Sequence, residues 1–115
     1  MPYCRIETNV AADKVTPQMA EELGKLVAKT TGKPLSYCAG AIVPGVPMSF
    51  GGDAATPCAQ AVLMSIGCLG GDLNKRHSKA IADFTNKTLG VAPDRMYIQF
   101  VDAAGSNVGF NGNTF

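Results

Sequence analysis

The chain begins Met-Pro-Tyr-Cys, and Pro2 carries a chemistry that no internal residue can imitate. Aminopeptidases remove an initiator Met when the next residue is as small as proline. The freed secondary amine is then both a base and a nucleophile, whereas behind an intact Met1 the same nitrogen is an amide and neither. An α-amine starts from a pKa of about 8, and burial among apolar groups or a nearby cation disfavours its protonated form. Pro2, once exposed as the terminus, is therefore a candidate general base near neutral pH. The four cysteines offer less. Cys4, Cys38, Cys58 and Cys68 form no C-x-x-C pair and have no metal-ligand spacing. Cys4 and Cys38 lie in apolar strand-like runs as small hydrophobes, while Cys58 and Cys68 flank a strand, where spacing does not decide their exposure. Free thiols in a reducing compartment are expected, with no metal and no cofactor.

The elements that position Pro2 must come from a chain of 115 residues, 46% hydrophobic and 17% charged, which fits one domain with a real core and excludes disorder. The net charge of +1 gives no field that would draw nucleic acid or an anionic membrane. The basic run Asn74–Lys79 is bracketed by Asp72 and Asp83 and reads as a solvated helix face. No apolar segment approaches the roughly 20 residues of a membrane span, so no membrane insertion is expected. The start of the chain lacks a basic region followed by an apolar stretch, which points to a cytoplasmic protein.

Cys4–Val10 alternates as a strand. Thr16 and Pro17 mark a helix start, Met19, Leu23, Leu26 and Val27 share one face, and Gly32 with Pro34 ends the helix. Leu35–Val43 is a second strand, closed by Pro44-Gly45. An extended piece around Pro47–Phe50 leads into a Gly51-Gly52 turn, and Pro57–Gly67 is a third strand. Asp72–Leu89 is a second helix with Ala80, Ile81, Phe84, Thr88 and Leu89 toward the core, stopped by Gly90 and Pro93. Arg95–Val101 is the fourth strand, followed by a Gly/Asn-rich tail. The order is β-α-β twice, in one domain spanning 1–115 with halves of 2–55 and 56–115. This is an α+β class built from α/β-type repeats: a four-stranded mixed sheet with both helices on one face. The other face of such apolar strands would be bare, so an oligomer in which sheets pack on one another is expected.

Several segments together resemble a known family. They are Met1-Pro2, Thr8-Asn9-Val10, Thr31–Pro34, Phe50–Gly52, Ser65–Gly67, Pro93–Arg95 with Tyr97, and the ending Asn107–Phe115. In this order, over essentially the whole chain, they are similar to the macrophage migration inhibitory factor family, which includes D-dopachrome tautomerase within the tautomerase superfamily. The resemblance implies a homotrimer with three sheets around a central channel and sites at the subunit interfaces. It also implies keto–enol tautomerisation of phenylpyruvate, hydroxyphenylpyruvate or dopachrome-like substrates. In that scheme Pro2 is the base and Lys33 binds the substrate carboxylate or carbonyl oxygen. Ile66 gives its backbone N–H, with Ser65 beside it, and Tyr97 reaches across the interface. Gln99 stands where many relatives carry asparagine, and Phe110 where tryptophan is frequent. Tyr37, Val108, Phe110 and Phe115 would line the pocket, with Tyr3 and Phe50 next. Without the resemblance, Lys33 is a helix-end cation on the dipole, Ser65-Ile66 is a strand end, and the aromatics are core or contact residues.

The resemblance also implies an alternative: a cytokine-like protein that binds a cell-surface receptor and leaves the cell by a route needing no signal peptide. Two family features do not transfer. Cys58-Ala59-Gln60-Ala61 holds only one thiol where some relatives have a redox pair, and the charged pair tied to chemokine-receptor mimicry falls on Ala12 and Gly45.

Overall fold

The computed structural model describes residues 1–115. Its central sheet has the order β2-β1-β3-β4, formed by β1 (Pro2–Thr8), β2 (Ala39–Val43), β3 (Ala59–Ser65) and β4 (Met96–Asp102). Helix α1 (Pro17–Thr31) connects the parallel pair β1 and β2, and α2 (Gly71–Leu89) connects the parallel pair β3 and β4. The two β-α-β units meet along the antiparallel pair β1 and β3. A hairpin of β5 (Gly109–Phe110) and β6 (Asn113–Thr114) follows. No helix is long and apolar enough to cross a membrane.

Strand period two decides the core. Cys4, Ile6 and Thr8 on β1, and Ala59, Ala61 and Leu63 on β3, point to one face and are buried. All of these except Thr8 meet Leu23 and Val27 of α1 and Ile81 and Leu89 of α2 in a single apolar cluster. Burying each large aliphatic side chain of this set stabilises the fold by roughly 2 kcal/mol. Both helices therefore cover the same face, as the pattern predicts. Gly40 permits α1 to approach β2: a Cβ there would lie 3.1 Å from Ala20 O and from Gly24 N. The opposite face carries Tyr3, Arg5, Glu7, Gln60, Val62, Met64, Tyr97, Gln99 and Val101, none of them buried. It is bare, as expected, but more mixed in polarity than the strands as a whole suggest.

Element ends differ from the expectations for identifiable reasons. β1 takes in Pro2 and Tyr3 and releases Asn9 and Val10, because Thr8 Oγ1 accepts from Val10 N (3.2 Å) and Asn9 Oδ1 accepts from Cys58 N (2.9 Å). The second strand is shorter than Leu35–Val43. Leu35–Tyr37 is a 3-10 turn in which Tyr37 N and Cys38 N donate to Pro34 O and Leu35 O. The third strand loses its flanks and the fourth shifts by one, since Arg95 closes the 3-10 turn Pro93–Arg95. Helix α1 starts at Pro17, but the Thr16 side chain makes no cap bond; its backbone carbonyl accepts from Met19 N instead. Gly32 stops the helix in the left-handed region at φ 72°, where a side chain would be strained. In α2 the core side includes His77 and Thr85, which the expected face omits, and His77 is not part of a solvated run. Its neighbours do lie on the surface, with Lys75–Asp72 at 3.4 Å and Lys79–Asp83 at 3.0 Å. The tail forms a hairpin because Asn111 (φ 54°) and Gly112 (φ 75°) accept the left-handed turn its tightness requires.

All four cysteines are free. Cys4 is buried and Cys38 half-buried, while Cys68 is exposed. Cys58, whose exposure the sequence left open, is fully buried, because Asn9 Oδ1 and Thr8 Oγ1 engage its backbone N–H and carbonyl and draw the residue inward.

Candidate functional site

One end of the sheet gathers the start of β2, the start of β1, the end of β3 and the end of β4. Pro2 lies there, fully buried and paired with Ser65. Gly32 turns α1 back so that Lys33, half-buried, acts on the same end. Burial first, and then the Lys33 cation, lower the pKa of the chain's terminal amine below its ordinary value, against opposite pulls from Cys38 and Cys68. In the structure that amine belongs to Met1, and the Pro2 nitrogen behind it is an amide. Partial desolvation and a nearby positive charge both disfavour the protonated form of an amine placed here.

Ser65 and Ile66 close β3 beside this end. The Ser65 Oγ is fully buried and has no hydrogen-bond partner, so the hydroxyl does not face solvent. The turn they enter is held from β4, with Ala103 N donating to Ser65 O (2.9 Å) and Gly67 N to Asp102 Oδ1 (3.1 Å). Beyond Asp102 the chain runs across the sheet end to the C-terminal hairpin. Val108 is buried there, and Phe115 N donates to its carbonyl. Tyr37, Phe110 and Phe115 form a half-exposed aromatic triad, with ring centroids 5.3 Å apart for Tyr37–Phe110 and 5.4 Å for Phe110–Phe115.

Tyr97 and Gln99 are elsewhere. Tyr97 pairs with Gln60, five residues along β3 from Ser65, which at about 3.3 Å per residue is roughly 17 Å from the Pro2 end. Gln99 pairs with Val62, and both side chains stand on the bare face. Tyr97 is 67% exposed and rests on Phe50, with centroids 5.1 Å apart. One chain therefore brings together Pro2, Lys33, Ser65, Ile66, Tyr37, Val108 and Phe110, and holds Tyr97 and Gln99 apart.

Arg95 organises the Tyr97 side, and sequence reasoning passed it over. Its guanidinium donates to four carbonyls of one loop, those of Phe50, Asp53, Thr56 and Pro57, at 3.0–3.2 Å, and lies 5.8 Å from the Phe50 ring centroid. Within the loop Asp53 accepts from the Thr56 hydroxyl and from the Thr56 and Ala55 N–H groups, which hold its carboxyl at about 2. The only signal in the sequence is an arginine two residues before Tyr97. His77 was missed because its sequence neighbours are all charged or polar.

No His, Cys, Asp and Glu side chains cluster as a metal site. The largest surface concavity, of 660 Å³, lies between α2 and β4 around Lys75, Lys79 and Phe100, remote from Pro2.

This arrangement has relatives. The curated macrophage migration inhibitory factor of Xenopus laevis is 45% identical over 115 residues, covering 100% of this chain and 99% of that protein. The Brugia malayi homologue is 38% identical over the same span. Among solved structures, macrophage migration inhibitory factor from Trichinella spiralis superposes with a TM-score of 0.92 at 38% identity, covering 98% of this chain and 99% of that one. The Prochlorococcus marinus homologue gives 0.90 at 32%, covering 98% of each. The family model for macrophage migration inhibitory factor matches residues 1–115, so two β-α-β units, a buried Pro2 at the sheet end, and an aromatic C-terminal hairpin find their place together: the chain belongs to the macrophage migration inhibitory factor family.

Proposed function

We propose that this protein is a keto–enol tautomerase of aromatic 2-keto acids, phenylpyruvate and hydroxyphenylpyruvate or dopachrome-like compounds, working as a homotrimer with Pro2 as base after loss of Met1. The observation that carries this reading is the environment of the Pro2 end, where burial first and then Lys33 disfavour the protonated form of the terminal amine carried there by Met1. In the keto-to-enol direction the Pro2 nitrogen takes the benzylic proton, the C–H electron pair forms the C=C bond, and charge moves to the carbonyl oxygen. Lys33 and the Ile66 N–H stabilise that oxyanion, and the proton returns to oxygen as the amine is regenerated. The aromatic triad offers a flat wall for the ring. Tyr97 and Gln99 complete the pocket from a neighbouring chain, because their own chain holds them too far away. Packing the bare faces together would cover Val62, Met64 and Val101.

The test is the rate of phenylpyruvate tautomerisation against pH, with Met1 loss verified by intact mass. A rate that rises through an apparent pKa below that of an ordinary α-amine, and that falls at least ~100-fold in Pro2→Gly, is expected. Absence of turnover in the trimmed protein overturns the reading. The name shared by the relatives favours a second role, a receptor contact acting on macrophages. Such a contact uses the outer surface and survives Pro2→Gly, which separates the two.

A further inference from the structure

We infer that His77 is a positioning residue of the candidate site, a buried tether between the turn that carries Lys33 and the turn that carries Ile66; its catalytic meaning rests on the tautomerase reading above. His77 sits on α2 and is fully buried although its sequence neighbours are surface residues. Its ring bridges two other elements, with Nε2 2.8 Å from Cys68 O and Nδ1 2.8 Å from Thr30 Oγ1. A carbonyl oxygen only accepts, so Nε2 carries the hydrogen. In the neutral ring Nδ1 is then the acceptor and the Thr30 hydroxyl donates to it. Each ring nitrogen is used once, each partner is on a different turn, and the donor pattern permits no exchange of roles.

Both turns lead directly to site residues. Thr30 is followed by Thr31, whose hydroxyl accepts from Lys33 N at 3.4 Å. Arg76, the charged group beside the ring, adds a bond to Thr30 O at 3.1 Å, so α2 grips the end of α1 twice. Cys68 lies two residues past Ile66 and adopts φ 61°, the left-handed region that side chains rarely occupy. The Ile66 turn is fixed on one flank by Asp102 and Ala103 of the β4 end, and on the other by His77. Phe100 lies beside the ring, with centroids 6.3 Å apart. Displacing either turn therefore breaks a buried bond or moves a ring that holds the other turn.

Three variants test the tether: His77→Phe, which keeps ring volume and loses both bonds; His77→Gln, which retains one donor and one acceptor; and Thr30→Val, which loses only the α1 bond. Hydrogen exchange by mass spectrometry is followed in peptides covering 27–38 and 64–72, together with kcat and KM for phenylpyruvate. A lost buried hydrogen bond corresponds to about tenfold in a local opening equilibrium. His77→Phe is expected to speed exchange about tenfold in both peptides, and to raise KM about tenfold with kcat within about threefold. His77→Gln should restore most of both. Thr30→Val should speed exchange in 27–38 more than in 64–72, and this milder variant keeps the test open should His77→Phe fail to fold. Unchanged exchange in both peptides, or a KM rise without faster exchange, overturns the tether. A wild-type protein without turnover sinks only the tautomerase reading, since exchange reports the tether without any substrate.

Discussion

The two ends of the central sheet are built on opposite plans. At the Pro2 end the terminal amine is only partly desolvated, Ser65 Oγ has no partner, and the aromatic triad is half exposed. At the Tyr97 end a single guanidinium holds a whole loop through four carbonyls and fixes Phe50 beneath Tyr97. The first end has unfilled capacity; the second is self-contained and presents an exposed tyrosine. The difference teaches that one chain separates the polar capacity of one end from the rigid aromatic surface of the other. In the proposed reading the base at the first end is completed by the Tyr97 surface, which its own chain carries some 17 Å away on a face that another copy would have to meet.

The sharpest way to break this comparison is complementation. Pro2→Gly and Tyr97→Ala proteins, each with activity reduced, are unfolded together and refolded as a mixture. Random assembly places an intact Pro2 opposite an intact Tyr97 in about a quarter of interface sites, so about a quarter of wild-type activity should return. If the site lies within one chain, nothing is regained.

The next effect concerns rigidity at the Tyr97 end. Arg95→Ala leaves four carbonyls without their donor and should lower stability by about 3 kcal/mol, seen as a fall in Tm of more than roughly 10 °C. Arg95→Lys should rescue little, because one ammonium cannot serve four carbonyls in that fork geometry. A small loss in Arg95→Ala would mean that the loop is held by its own Asp53 turn.

At the Pro2 end, Lys33→Ala removes a cation that disfavours the protonated amine. The amine pKa should therefore rise, and the ascending limb of the pH–rate profile should move to higher pH, with a loss of substrate affinity. A limb that stays in place would assign the depression to burial alone.

Smallest is the acid response of the 50–57 loop. Asp53 titrates at about 2 in the folded chain, below its unfolded value, so its contribution to stability is complete above about pH 4 and is lost as pH falls toward 2. Asp53→Asn should flatten that part of the stability–pH curve by lowering stability at neutral pH toward its acid value, as measured by urea midpoints at neutral and acid pH.

Much of this was legible in the sequence because it depends on local rules. Pro17, Gly32 and Gly90 set helix limits through φ preferences, and alternation along Cys4–Val10 marked the first strand, with Ile6 and Thr8 on the face that proves to be buried. The apolar runs Ala39–Val43 and Gln60–Ile66 implied a partner surface on the face opposite the helices. Legibility failed where one side chain binds distant backbone. Asn9 ends β1 by reaching Cys58, 49 positions away, and His77 looked like surface because nothing in its neighbours records Thr30 or Cys68. Arg95 has the same character: its partners form a loop 38 to 45 positions earlier.

The sequence by itself determined the elements, the buried face and the identity of a proline that can become a terminal base, since these follow from φ limits, side-chain period and covalent chemistry. Tertiary structure decided which residues share an end of the sheet, which thiol is buried, and that Tyr97 lies too far from its own Pro2. Those outcomes depend on strand register and on hydrogen bonds between positions distant along the chain, for which local spacing carries no information.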